Sequence, residues 1–234
     1  MKAWGKECIA VRERVGLLDM TCFAKYEIEG RDAENFLKRI CANHIPKREG
    51  GVALVHMLTE LGGIECEATI TRIDENKYYV LSGAIAEIHD YDWLVQHILP
   101  DEKVSVRNVT DEYGVLVLSG PRSRDLLSKL TDADLSNADF PWLKGKTIYV
   151  SGIKTLALRV SYVGELGWEL HIPMQNVAEL YDTLMDKGSK FRISNFGTYA
   201  MNSLRMEKAY KGWGSELTTE ITPIEAGLER FVDF

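Results

Sequence analysis

The sequence predicts an α+β protein built on largely antiparallel sheets with helices. Three observations carry this. Strand-like runs come in pairs joined by short turns; the clearest is "GVALVHMLTELGGIECEATITRI", where Gly62-Gly63 reverses the chain between two apolar runs. Helical periodicity lies between the hairpins instead of alternating strictly with single strands, which is the pattern of α+β folds. Neither G-x-G-x-x-G nor a P-loop occurs, so the chain offers no ordinary dinucleotide or ATP cradle.

Along the chain, residues 6–15 read as a helix, and "AKYEIEG" alternates as a strand before Gly30. "RDAENFLKRI" reads as a helix capped near Asp32, with Phe36, Leu37 and Ile40 on one face. The Gly62-Gly63 hairpin follows, then the polar turn "DENK" and a third strand, "YYVLSG". Ile85, Ile88, Tyr91 and Val95 recur at helical spacing and stop before Pro100. The second half repeats the mixture: strands at 104–109 and 113–118, then a helix opened by Pro121, whose missing N–H costs nothing at that position. Strands at about 147–151, 154–162 and 168–172, a helix over 175–187 closing at Gly188, and a helix over about 197–210 complete the reading. The chain divides into two halves, 1–110 and 111–234.

The 234 residues are 45% hydrophobic and 27% charged, ordinary for a globular protein, and are enough for one large domain or two small ones. A net charge of −7 without a basic run argues against nucleic acid as a partner. No apolar run reaches the roughly 18 residues of a membrane helix, and the N-terminus lacks the pattern of a signal peptide. Cys8, Cys22, Cys41 and Cys66 form no C-x-x-C pair, so a reducing compartment is expected, the cytoplasm or the mitochondrial matrix. His44, His56, His89, His97 and His171 are dispersed; each reads as a surface or satisfied core residue, and no metal is expected.

The stretch "SYVGELGWELHI" (161–172) poses the functional question. Gly164 and Gly167 argue against a helix, since each glycine costs a helix interior about 1 kcal/mol. As a strand it puts Leu166, Trp168, Leu170 and Ile172 on one face and Glu165, Gly167, Glu169 and His171 on the other. Two readings compete: an antiparallel strand with its acids in water, or a ligand wall where a small residue admits a ligand and carboxylates accept its hydrogen bonds. The strand from Ile64 repeats the choice, with Ile64, Cys66, Ala68 and Ile70 on one face and Glu65, Glu67, Thr69 and Thr71 on the other.

Six blocks in order, "VRERVGLLDMTCFAKYEIEGRDAENFL", "MLTELGGIE", "LSGPRSRDLL", "YVGELGWELHIP", "NSLRMEKAYKGWGSEL" and "TPIEAGL", resemble the folate-binding aminomethyltransferase family typified by the glycine cleavage T protein. "EKAYKGWGSEL" and "LSGA" are more similar to the folate domain of dimethylglycine and sarcosine dehydrogenases. The resemblance implies a glycine cleavage T protein-like fold whose halves, 1–110 and 111–234, form one folate-binding domain. It also implies sequence upstream of Met1 and a C-terminal barrel beyond "VDF", so the chain reads as a fragment, a truncated frame or a minimal domain.

The implied ligand is tetrahydrofolate, and a pterin edge presents a ring N–H beside an amino group, which one carboxylate can accept together. The resemblance gives that task to Glu169, with Tyr162 packing nearby, Arg205 meeting the ligand's acidic groups, and Met57 and Trp213 also contacting it. For Arg205 the alternative is an ordinary helix-surface arginine. Glu165 either lines the site or pairs with a basic neighbour. The family's hairpin carries a catalytic aspartate that manages a proton; here "GGIECE" places Cys66 and then Glu67, so Glu67 takes its place with an extra methylene. A change of reach of about 1 Å can cost on the order of a hundredfold in rate.

The resemblance therefore implies an aminomethyltransferase-like enzyme that accepts a one-carbon unit from an iminium or aminomethyl donor onto tetrahydrofolate, giving methylenetetrahydrofolate. The donor is a small amine-derived molecule, and the implied partner is a flavoprotein dehydrogenase domain or subunit. Two alternatives belong to other classes: folate-dependent methyl transfer or demethylation with another donor, and a non-catalytic folate-binding accessory protein of iron–sulfur assembly. The last carries a K-G-C-Y-type motif, and "KAYKGWG" lacks its cysteine.

Overall fold

A computed structural model describes residues 3–233, and its chain reverses where the turn signals lie. Helix α1 (Ala3–Glu13) is followed by β1 (Gly16–Asp19), β2 (Ala24–Glu29), α2 (Ala33–Ile40), β3 (Val52–Leu58), β4 (Ile64–Asp74), β5 (Lys77–Ser82) and α3 (Glu87–Gln96). Then come β6 (Ser105–Asn108), β7 (Tyr113–Ser119), α4 (Ser123–Leu127), β8 (Gly145–Val150), β9 (Ile153–Leu158), β10 (Gly167–Pro173), α5 (Val177–Gly188), β11 (Ser194–Asn195) and α6 (Thr198–Glu207). The fold is α+β with antiparallel sheets, as the sequence predicts.

Two units organise these elements, and each draws on both halves of the sequence: Met1–Thr21 belongs with Asp111–Tyr210, and Lys211–Phe234 with Cys22–Thr110. The first unit holds a six-stranded sheet in the order β11-β1-β7-β10-β9-β8, antiparallel except for the β1–β11 pair. Its core gathers Leu17, Leu116, Leu118, Trp168, Leu170 and Ile172 from one sheet face with Leu180 and Leu184 of α5. In the second unit the sheet order is β3-β4-β5-β2-β6, antiparallel throughout. Tyr26, Ile28, Val55, Met57 and Ile70 pack there against Phe36 and Leu37 of α2.

Several local expectations are corrected. Strands β1 and β11 have four and two residues, too short for periodicity to mark. The helix after Pro121 is confined to five residues of α4. α5 runs through Gly188 and a 3₁₀ turn, and the left-handed residue that stops it is Arg192 (φ 55°). Asp32 does not cap α2 with its side chain; its carboxylate accepts the Lys103 N–H at 2.8 Å, and that bond chiefly lowers its pKa. In and just before α3 the apolar spacing marks the buried face only in part, since Tyr91 packs on the core. Ile85 and Ile88 are 85% and 68% exposed, while Asp90 and Leu94 are buried. A buried aspartate occupies the inward stripe because it has partners there, described below.

The Gly62-Gly63 turn shows why glycine is needed. Gly62 takes a left-handed φ of 84°. At Gly63 a Cβ would lie 1.8 Å from the Thr219 carbonyl oxygen, so the closing segment can pack on β4 only if residue 63 has no side chain. That segment contributes Leu217 and Ala226 to a small cluster around Ile64. Gly63→Ala should lower the free energy of urea unfolding by about 1–3 kcal/mol, the usual cost of forcing atoms into packed space. Gly83→Ala, where a Cβ meets nothing within 4 Å, should not. Equal effects at the two positions would contradict the packing argument.

Candidate functional site

Only from Gly167 is the stretch 161–172 a strand, and β10 then lies between β7 and β9. Trp168, Leu170 and Ile172 enter the core of the first unit, as alternation requires. The other face is also buried: Glu169 pairs in register with Val117 on β7 and Leu158 on β9, and all three are buried. A water-facing acid is therefore ruled out for Glu169, because a central strand covered on both faces has no solvent side. His171, two residues on, turns Nε2 to Glu169 Oε2 at 3.3 Å. The Glu169 side chain keeps 10% exposure. Gly167 does not open the wall to a ligand; a Cβ there would strike Leu118 O at 2.5 Å and Ser119 Oγ at 2.8 Å, so its smallness serves the approach of β7.

Residues 159–166 are irregular, with Gly164 at φ 72°, and Glu165 consequently leaves the face of Glu169. Its carboxylate meets Arg12 Nη1 at 3.0 Å. Arg12 also donates to Val163 O at 2.6 Å and Leu204 O at 3.0 Å, and pairs with Glu207 at 2.7 Å. Glu165 is thus the partner of a basic neighbour, of the two alternatives the sequence leaves open. Tyr162 stacks on Tyr210, with ring centroids 6.4 Å apart and planes 17° from parallel. Arg205 is 7% exposed, which removes the helix-surface alternative. Its Nη1 donates to Tyr210 O at 2.8 Å and its Nε to Asn202 Oδ1 at 3.0 Å, so it fixes the chain leaving α6 and, through it, the aromatic pair.

In the second unit the hairpin register sets His56 opposite Glu67 and Met57 opposite Cys66. Glu67 keeps 18% side-chain exposure, whereas His56 is wholly buried, and His56 Nε2 lies 2.9 Å from Glu67 Oε2. Met57 shares the opposite face with Cys66, inside the hydrophobic core at 2% exposure. The period of two fixes this, so Met57, expected to contact the ligand, lies in the core and not on the face of Glu67. Trp213 donates Nε1–H to Glu65 O at 2.9 Å, tying the closing segment to β4, and its ring lies 5.6 Å from that of His89.

Cys66, His89 and Asp90 bring a thiol, a ring nitrogen and a carboxylate within 4.8 Å of one another, a grouping the dispersed sequence positions do not suggest. His89 bridges two acids, Nδ1 to Asp90 at 2.9 Å and Nε2 to Glu65 at 2.8 Å. Burial disfavours its charged form, but the hydrogen bonds of Asp90 and Glu65 and then their charges outweigh this and raise its pKa. Burial, followed by the charge of Asp90, pushes the Cys66 thiol far up. The two hydrogen bonds of His89 make the cluster a bridge across the α3–β4 contact.

A family model described as the GCVT N-terminal domain matches residues 1–234. The chain belongs to that family. Over 229 residues it is 42% identical to the mitochondrial dimethylglycine dehydrogenase of Rattus norvegicus, covering 97% of this chain and 27% of that protein. It is 33% identical over 226 residues to the aminomethyltransferase of Thermoanaerobacter sp. (strain X514), covering 96% of this chain and 61% of that one. The crystal structure of glycine cleavage system aminomethyltransferase T from Bartonella henselae matches with a TM-score of 0.86 at 25% identity, over 97% of this chain and 60% of that one. The chain thus spans about a quarter of the dehydrogenase's length and about three-fifths of the aminomethyltransferase's. This GCVT domain is of the aminomethyltransferase type and related to the dehydrogenase. Among its described residues no helix is long and apolar enough to cross a membrane.

Two residues of the GCVT domain stand beside the acids without having been singled out: His171 and His56. Both were within reach of sequence reasoning, His171 by alternation from Glu169 and His56 by the register that the Gly62-Gly63 turn imposes. His89 and Asp90 gave no such signal, since the apolar spacing of α3 points to another face.

The His89 bridge makes a pH prediction. Its folded pKa is raised, so its contribution to stability is fully present below the unfolded value near 6.5 and is lost as pH rises through the folded value. The stability difference between the wild type and His89→Gln in urea should be larger at about pH 5 than at about pH 9. A difference that does not change with pH would contradict a charged bridge.

Proposed function

We propose that this domain binds tetrahydrofolate and directs a one-carbon unit onto it from an iminium or aminomethyl donor, giving methylenetetrahydrofolate. Its place is beside a flavoprotein dehydrogenase domain or subunit that forms the donor from a small amine. The names of the relatives, a dimethylglycine dehydrogenase and an aminomethyltransferase, support both the reaction class and the partner. The single observation that carries the reading is the state of Glu169. A buried carboxylate held at one oxygen by His171 is costly unless further donors complete it.

Adjacent N–H groups of a pterin edge fit that requirement, and charge-assisted hydrogen bonds of this type are about twice as strong as neutral ones. Tetrahydrofolate supplies the nitrogen nucleophile of the reaction. The chain's own residues bind and handle protons. Glu169 accepts the ligand's N–H groups, and His171 restrains its carboxylate. Tyr162, held by Tyr210 and Arg205, offers an aromatic face. Glu67, on β4 with an oxygen near solvent, is the carboxylate that holds the proton released as the new carbon–nitrogen bond forms. Trp213, anchored on Glu65 O, presents its ring on the same unit.

Glu169→Gln should weaken tetrahydrofolate affinity by about 1.5–3 kcal/mol, the range for hydrogen bonds to a charged group. Glu165→Gln should leave it nearly unchanged, because Glu165 is engaged by Arg12. Calorimetric titration of the two variants checks this. Equal losses, or none in either, would return Glu169 to a purely structural role.

A further inference from the structure

We propose that His56 is the positioning residue of Glu67, a fixed hydrogen-bond donor that sets the orientation of its carboxylate. The proposal rests on the reading of Glu67 as the proton-handling group. Three observations carry it. His56 and Glu67 are directly opposed in the β3–β4 register, so their separation is set by the ladder and not by a flexible loop. His56 is entirely buried while Glu67 is partly exposed, which makes the histidine the rigid member and the carboxylate the one that meets a ligand. Among the described residues, Nδ1 of His56 is buried and has no hydrogen-bond partner.

The last point fixes the proton. Nε2 faces a carboxylate oxygen at 2.9 Å, and two acceptors would repel, so a proton stands between them. An imidazolium, or the tautomer protonated on Nδ1, would bury an N–H with no acceptor, which costs more than leaving a neutral ring nitrogen bare. The neutral ring with its proton on Nε2, donating to an ionised Glu67, satisfies the geometry. The ring cannot swing away: the backbone N–H of Ala42 donates to His56 O at 2.8 Å, and Phe231 packs its ring against His56 with centroids 5.6 Å apart. Glu67 is therefore pinned through one oxygen, on a side chain that stays partly exposed. The extra methylene by which Glu67 exceeds the family's aspartate is taken up by this anchor, which restores a defined reach.

Nitrogen-15 NMR of the histidine rings in the whole chain reads the proton directly. His56 should show a neutral ring protonated on Nε2, whose N–H signal shifts in Glu67→Gln. Protonation on Nδ1, or on both nitrogens, overturns the proposal. In single-turnover transfer from a formaldehyde-derived donor, His56→Leu should lower the rate on the order of a hundredfold, as for an ångström-scale misplacement, with tetrahydrofolate affinity unchanged. His56→Gln, which can place an N–H near the position of Nε2, should recover most of that loss, and His56→Leu should add nothing in a Glu67→Gln background. A purely structural histidine would instead show additive losses and no recovery by glutamine. A wild type that transfers nothing overturns the functional reading, while the ring's proton still decides whether His56 anchors Glu67.

Discussion

A carboxylate on a strand that is covered on both faces must find hydrogen-bond donors, and this constraint governs the candidate site. β10 lies inside its sheet, and the neighbours of Glu169 in register are Val117 and Leu158. Desolvating a carboxylate among such residues is unfavourable by several kcal/mol unless it is bonded. His171 meets part of that demand. In the other unit Glu67 faces the same demand less severely, and His56 meets it. Each acid is thus restrained by a histidine of its own sheet, His171 two residues along the same strand and His56 directly opposite in the β3–β4 register.

Arg12 is partly buried, and besides its two acids it donates to the carbonyls of Val163 and Leu204. Those bonds hold an irregular segment whose backbone has no strand partner, and they consume Glu165 in doing so. Arg205 works in a comparable way at the end of α6, where bonds to Asn202 and the Tyr210 carbonyl set the tyrosine that stacks on Tyr162. A segment that looks like a run of ligand contacts in sequence is divided in space between the buried Glu169 and a supporting network around Arg12 and Arg205.

What was legible in the sequence follows from how local the signal is. The α+β class, the Gly62-Gly63 hairpin and the inward set Trp168, Leu170 and Ile172 rest on period and turn chemistry, which neighbouring residues carry. The ordered motifs gave the family and drew attention to Glu169 and Glu67. The strand could not extend back to Glu165, because the left-handed Gly164 breaks it and Arg12, more than 150 positions away, claims its side chain. Met57 was drawn in by its block, though alternation already placed it opposite His56, with Cys66 and the core. Exposed Ile85, just before α3, and Ile88 within it imitate a buried stripe, and only tertiary contact reveals Asp90 as an inward residue. The crossing of the chain ends between the two units depends on long-range packing and leaves no local mark.

The central claim is that the folded domain is completed by tetrahydrofolate. Thermal unfolding of the whole chain with and without the ligand tests it most directly. A ligand that binds only the folded state adds about 2.7 kcal/mol at a hundred times its dissociation constant, which for a chain of this size is a rise of several degrees in melting temperature. A concentration-dependent rise with tetrahydrofolate is the result expected. An unchanged melting temperature at saturating tetrahydrofolate, with the circular dichroism of an intact α+β fold, would contradict it.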